Sequence, residues 1–251
     1  MKLSVIIITK NEARHIGECI ASVSFADEVI VVDSGSTDQT REIAESLGAK
    51  VTLADWPGFG PQKNRALDLA GAEWVLSIDA DERVTPELAA EIQAELENPC
   101  AEAYKIPRLS NYAGRWIRHS GWWPDHVLRL FKRGTARFKD VAVHESVQTS
   151  APVHTLRAHF LHYPYADLES HIVKLNHYSS VAAAMLHARG KKTSLPGVIG
   201  HAVWTFIRIY GIRRGFLDGK AGFLLAVMAS IGSFFRYSKL HLLNKHNQQG
   251  D

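Results

Sequence analysis

The sequence predicts an α/β fold, a mostly parallel sheet flanked by helices with a helical appendage at the C-terminus, on three observations. Apolar, β-branched runs alternate with amphipathic stretches through the first hundred residues, the pattern of βαβ units. After Cys100 the alternation shortens to period two, as in partly antiparallel strands. From Tyr165 the texture turns helical and basic. These shifts divide the chain into a domain over 1–164 and a basic helical region over 165–251.

Leu3 to Thr9 reads as the first buried strand, followed by a helix with Ile16, Cys19, Ile20 and Val23 inward. Glu28 to Asp33 is a second strand ending in an acid, and Ser36 or Thr37 caps a helix whose inner face is Ile43, Ala44 and Leu47. Ala49 to Leu53 is a third strand, and Gln62 to Leu69 a short helix carrying Lys63. Trp74 to Ile78 is a continuous apolar run that stops in Asp79-Ala80-Asp81-Glu82, before a helix opened by Pro86. Right-handed crossovers bring the ends of these strands, at Thr9, Asp33 and Asp79, to one edge, where open α/β sheets bind ligands. Two acids one residue apart on such a turn suit a divalent cation bridged by nucleotide phosphates. Neither a Gly-x-Gly-x-x-Gly nor a P-loop sequence is present to explain that edge otherwise.

Further on, Val127 to Lys132 and Val143 to Val147 read as strands, and Arg115 to His126 packs three tryptophans among Arg, His and Asp. Those tryptophans fit a core plug and a sugar-stacking wall equally. Leu168, Ile172, Leu175, Tyr178 and Ser179 are expected as one helical face. Helices follow over Val198–Gly211 and Lys220–Leu243.

Composition narrows the classes. Cys19 and Cys100 make no disulfide framework, which suits a reducing compartment, and residues 1–10 read as a strand and not as an export signal. Residues 186–251 carry ten Lys and Arg against Asp218 and Asp251, a net of +8, which leaves −5 for the first 185. The uncharged stretch Ala221 to Phe235 is shorter than the ~20 residues of a spanning helix. Bordered by Arg213, Arg214, Lys220 and Arg236, these helices are expected to lie on the cytoplasmic face of the inner membrane; a helical cap on the domain's own core is the alternative. Nucleic acid is a poorer partner, because long apolar runs interrupt the basic residues. The thirteen histidines, His162 among them, show no ligand spacing.

Three ordered segments, Ser4 to Glu12, Glu28 to Asp38 and Leu76 to Glu82, resemble the inverting family 2 glycosyltransferases of GT-A fold. Lys63-Asn64-Arg65-Ala66, Gly121 to Asp125, Arg129-Leu130-Phe131 and Val143 to Val147 are similar to a narrower branch, the bacterial lipopolysaccharide inner-core β-1,4-glucosyltransferases that act on heptose. The resemblance implies a Rossmann-like GT-A domain moving a hexose, glucose in that branch, from a UDP-sugar to a lipid-anchored saccharide with Mg²⁺ or Mn²⁺. A polyprenyl-phosphate or other lipid-linked glycan acceptor is the alternative within the family. Carried over by position, it implies that Thr9 and Glu12 line the nucleoside pocket, Asp33 accepts from the uracil imide, and Lys63 sits near the diphosphate. Asp79 is placed at ribose or metal, and Asp81 at the metal. Glu145 is implied as the base, with Asp125 and Asp140 as the other candidates, and Trp122, Trp123, His126 and Arg129 are assigned to the acceptor.

Overall fold

The structure, a computed structural model, describes residues 2–139 and 146–246. Asp140, His144 and Glu145 lie outside the described residues, as does most of the strand expected over Val143 to Val147. The chain divides into two compact units, one of Met1–Leu109 with Pro124–His162, the other of Ser110–Trp123 with Tyr163–Asp251.

In the first unit the apolar runs fold as read. Strand β1 (Leu3–Thr9) leads through α1 (Ile16–Ser22) to β2 (Glu28–Asp33), and α2 (Thr40–Ser46) connects to β3 (Lys50–Leu53). Helix α3 (Phe59–Leu69) precedes β4 (Trp74–Ser77), β5 (Glu82–Val84) and α4 (Pro86–Glu97). Strands β1 to β4 are mutually parallel with β1 between β2 and β4, so Thr9 and Asp33 are register partners at one edge. Period two splits β1 between two cores. Leu3, Val5 and Ile7 pack with α1, α2 and α4 through Cys19, Ala44 and Leu88. Ile6 packs with Ala66 and Leu67 of α3 on the other face.

The sheet continues antiparallel. Strand β6 (Ala103–Tyr112) is joined by the two-residue β7 (Arg115–Trp116), and β8 (Asp125–Lys132) lies between β4 and β6. A hairpin of β9 (Ala136–Lys139) and β10 (Ser146–Thr149) stands apart, while β11 (Val153–Thr155) and β12 (Phe160–His162) return to the main sheet. Strand β12 pairs antiparallel with β5, setting His162 opposite Glu82.

Two local expectations are corrected. Helix α2 starts at Thr40 without a side-chain cap, because Ser36 and Thr37 are engaged elsewhere, and Leu47 is exposed where an inner position was expected. Helix α3 begins three residues earlier than read.

The second unit holds β7, the end of β6 and the C-terminal helices. Helix α5 (Leu168–Ala188) is opened by a reciprocal Asp167/Ser170 cap and α6 (Leu195–Phe206) by Ser194, with Pro196 in the first turn. The expected inner face of α5 is corrected: His171, Ser179 and Ala183 are buried, whereas Leu168, Ile172 and Tyr178 are exposed. His171 is inward because its Nδ1 lies 3.0 Å from the Tyr112 hydroxyl and its ring stacks on Tyr165. Helix α6 runs into a π-helical turn (Ile207–Ile212) and a 3₁₀ turn (Gly215–Asp218) before α7 (Gly219–His246). Gly222 has no alternative there, since a Cβ would come within 2.0 Å of the Gly215 carbonyl oxygen. Ser230 and Ser233 donate to the Ala202 and His201 carbonyls at 2.8 and 3.2 Å, tying α7 to α6. By length and composition alone, Gly215–Lys245 contains an 18-residue window of mean hydropathy 1.3, long and apolar enough to cross a membrane where the charge-free core by itself is not.

Glu28 anchors the start of the sheet: it accepts from Ser4 Oγ at 2.6 Å, Gly71 N at 2.7 Å and Lys50 Nζ at 2.6 Å. Burial pushes its carboxyl up, but these donors outweigh that and hold it at about 2 against an ordinary 4.5. The folded value lies below the unfolded one, so the contribution is complete above pH 4.5 and disappears as the pH falls through about 2. Glu28→Gln is expected to flatten the acid limb of a stability-against-pH curve by on the order of 3 kcal/mol. An unchanged acid limb in urea titrations would assign the acid sensitivity to other groups.

Candidate active site

The edge where the parallel strands end is closed by loops that hydrogen-bond each other. Asn11 takes the left-handed conformation, φ +56°, which Asn tolerates better than most residues. That turn aims its Oδ1 at Thr37 N, 2.8 Å away, and its own N–H at Ser36 Oγ, 2.8 Å away. Glu12 N donates to Thr40 Oγ1 at 2.8 Å, and Ala13 N to Asp38 at 3.1 Å. Asp33 supports the second loop from beneath, accepting from Gly35 N at 3.0 Å, Ser36 N at 2.8 Å and the Ser36 hydroxyl. Its carboxylate is fully buried. Asp33 thus holds this loop in shape. Thr9 Oγ1 beside it is buried and has no hydrogen-bond partner among the described residues, a polar atom left for a ligand.

The acidic turn is the centre of the site. Glu82 N donates to Asp79 O at 2.9 Å, and the Glu82 carboxylate reaches back to accept from Asp79 N, also at 2.9 Å. Arg83, itself buried, donates to the Ala80 and Glu82 carbonyls at 2.9 and 2.8 Å. Five backbone groups of the turn are thus engaged nearby.

From the turn a row of alternating charges runs across the sheet. Lys63 Nζ lies 2.7 Å from Asp79, which also pairs with Arg129. Arg129 is 3.2 Å from Glu82, Glu82 is 3.1 Å from Arg108, and Arg108 is 2.6 Å from Asp125. Burial raises the Asp79 carboxyl, yet the Arg129 and Lys63 cations hold it well below the usual carboxylate range. Lys63 and Arg129 are both buried side chains.

Asp81 projects from the same turn and meets a partner that the sequence reading missed. His162 Nε2 lies 3.6 Å from Asp81 Oδ2. The pairing of β12 with β5 places His162 opposite Glu82, one residue from Asp81. Among the described residues no group of three or more His, Cys, Asp or Glu gathers as a metal cage. The Asp81 carboxylate is the hard oxygen ligand that suits Mg²⁺ or Mn²⁺, whereas the imidazole beside it is a ligand that softer divalent metals favour. Asp79 is less suited to that part, because two cations already occupy its oxygens.

Asp125 is committed to Arg108 through two hydrogen bonds at 3.0 and 2.6 Å, and His126 beside it is exposed. In the second unit Trp122 packs against Tyr112 and Tyr165, centroids 5.8 and 6.5 Å away, which assigns it to a core plug. Trp123 is half-buried with the Arg118 guanidinium 5.8 Å over its ring. Arg213, Arg214, Lys220 and Arg236 are all exposed.

Parallel strands ending in a fixed acidic turn, with antiparallel strands completing the sheet, define a GT-A-like nucleotide-sugar transferase fold. The Glycosyl transferase family 2 signature matches residues 4–155, and the chain belongs to that family of glycosyltransferases. A glycosyltransferase of Rickettsia bellii is 35% identical over 97% of this chain and 87% of its own length. The lipopolysaccharide core biosynthesis glycosyltransferase LpsC of Rhizobium meliloti is 29% identical over 96% of this chain and 92% of its own. In fold the chain is similar to Staphylococcus aureus TarS 1–349, solved in complex with UDP, at a TM-score of 0.52 and 20% identity over 100% of this chain and 92% of that one.

Glu82 joins the turn to both arginines while fully buried, so its removal leaves two guanidinium groups without their shared counter-charge. Glu82→Ala is expected to destabilise the protein by about 3 kcal/mol, with Glu82→Gln costing less because it can still accept hydrogen bonds. Urea midpoints at neutral pH measure this, and an Ala variant as stable as the parent would show that the row of charges contributes nothing net.

Proposed function

We propose that this glycosyltransferase is an inverting, metal-dependent enzyme that moves a hexose, glucose in the first instance, from a UDP-sugar to a heptose of the lipopolysaccharide inner core. The observation that carries the reading is the Asp81–His162 pair on a turn whose other acid is already neutralised by Lys63 and Arg129. The name of LpsC, aligned along nearly the whole chain, supports the acceptor class, and the UDP held by the TarS structure supports the donor class.

Transfer with inversion leaves negative charge on the departing diphosphate and positive charge at the anomeric carbon. Asp81, with His162 beside it, would hold a Mg²⁺ or Mn²⁺ ion, which would supply counter-charge for that diphosphate. The residues themselves do the positioning. Asp33, Ser36 and Asn11 hold the loops over the strand ends, and the Thr9 hydroxyl is left to meet the nucleoside. Lys63 and Arg129 fix Asp79 and add positive potential beneath the diphosphate. A single displacement then needs one base to take the acceptor hydroxyl's proton, and no covalent intermediate. The family motif puts that base at Glu145, and the commitment of Asp125 to Arg108 supports the choice.

Two variants test the chemistry. Asp81→Asn is expected to lower UDP-sugar turnover by at least ~10²-fold, as the loss of one electrostatic stabiliser does, while leaving the urea midpoint unchanged. Turnover that persists in this variant and in EDTA removes the metal from the reading. Glu145→Gln is expected to bind UDP-sugar normally in calorimetry yet lose transfer; if Asp125→Asn alone behaves that way, the base is Asp125.

A further inference from the structure

The turn that joins α6 to α7 has a surface that soluble helical hairpins seldom carry. Ile212, Phe216 and Leu217 are 62%, 51% and 47% exposed within six residues, and Phe223 follows on the first turns of α7 at 46%. Large apolar side chains grouped like this mark an interaction site. They are also held in place: Tyr210 packs edge-on against both Phe216 and Phe223, with ring centroids 6.4 and 5.7 Å apart. The backbone beneath them is fixed by the π-helical turn, the left-handed Arg214 and the crowding at Gly222. The apolar tip is therefore built and not a frayed end.

The charges around the tip have one sign. Arg208, Arg213, Arg214 and Lys220 are exposed among these apolar residues. Asp218 is the only acid between residues 187 and 246, and it is buried. Its oxygens are taken up inside the unit by Arg118 N and His119 N at 3.1 Å and by the Ser120 hydroxyl at 3.0 Å. No negative charge reaches the described surface of this segment.

We propose that this tip docks on an anionic phospholipid bilayer, with Ile212, Phe216, Leu217 and Phe223 entering the headgroup boundary and the four basic residues meeting lipid phosphates. Exposed apolar and cationic groups interleaved within this short, well-ordered segment are complementary to such a surface, which offers both kinds of partner at the same depth. Duplex nucleic acid offers phosphates but no place for exposed Phe and Leu. The contact is interfacial: in α7, Ala221, Leu225, Met228 and Leu240 are buried within the protein, so that helix has a packed side as well as an exposed one. This goes beyond the proposed reaction, which makes no use of these residues.

The full chain, mixed with phosphatidylcholine vesicles with and without phosphatidylglycerol and then pelleted, tests the proposal without any sugar transfer. Binding is expected on the anionic vesicles only, weakening as salt is added. The combined Arg208→Ser, Arg214→Ser and Lys220→Ser variant is expected to lose roughly fivefold in partitioning per charge, on the order of a hundredfold together. Phe216→Ser with Leu217→Ser is expected to bind more weakly at every salt concentration, and thermal midpoints confirm that each variant is folded. Equal binding to neutral and anionic vesicles, an unchanged partition of the charge variant, or no binding would each overturn the proposal. Retention in cell membranes after alkaline carbonate extraction would also overturn it, in favour of a spanning helix.

Discussion

The row of charges from Lys63 through Asp79, Arg129, Glu82 and Arg108 to Asp125 is the constraint on which the rest of the site depends. Burying one ion costs several kcal/mol after relaxation, and a pair recovers that only when both partners are well hydrogen-bonded. Here each interior member has a neighbour of opposite sign on both sides, and Glu82 also accepts a backbone N–H. The row therefore contributes uniqueness more than net stability. A turn that shifted by one residue would leave a buried Arg or Glu unpaired. Four elements, α3, β5, β6 and β8, each contribute to it, so the acidic turn is fixed relative to the whole sheet and not merely to its own strand.

That fixation separates the two acids of the turn. Asp79 points at cations the protein supplies, and its charge is balanced before any ligand arrives. Asp81 points instead at the His162 imidazole, 3.6 Å away. Two like residues with one residue between them thereby acquire different parts, because the turn that carries them breaks the strand alternation that would put i and i+2 on one face. The loops over Thr9 and Asp33 are fixed in the same manner, each by hydroxyls and carboxylates of the other, so the edge is ordered without relying on a nucleotide to order it.

Much of this was legible in the sequence. Buried parallel strands must be apolar throughout, so β1, β2 and β4 stand out, and the acids that end them mark the edge. Helix α4 was equally plain, with Thr85 as cap and Pro86 in the first turn. What stayed hidden depends on contacts between distant segments. Lys63, Glu82 and Arg129 look like surface residues until β8 is laid beside β4 and α3 is packed over it. His162 is one of thirteen histidines, and only the pairing of β12 with β5 brings it to Asp81. The inner face of α5 was misread because a buried His171, bonded to Tyr112, replaced the aliphatic stripe that periodicity favours.

The second unit shows the same dependence on contacts between distant segments. Its helices meet through small residues and hydroxyls: Gly222 lies against the Gly215 carbonyl, and Ser230 and Ser233 bond carbonyls of α6. Close backbone approach of this kind relies on dispersion and hydrogen bonds more than on the expulsion of water from large side chains. Large side chains are then free for the outside, and α6 and α7 do carry Ile199, Val203, Trp204, Phe223 and Phe234 there. Asp218 is the counterpart of Glu82 in this unit, a buried acid that gathers the backbone of residues 118–120 around the 3₁₀ turn. With its charge spent inside, the outer face is left apolar and positive. A helical hairpin of this composition is internally satisfied without burying all of its own apolar surface.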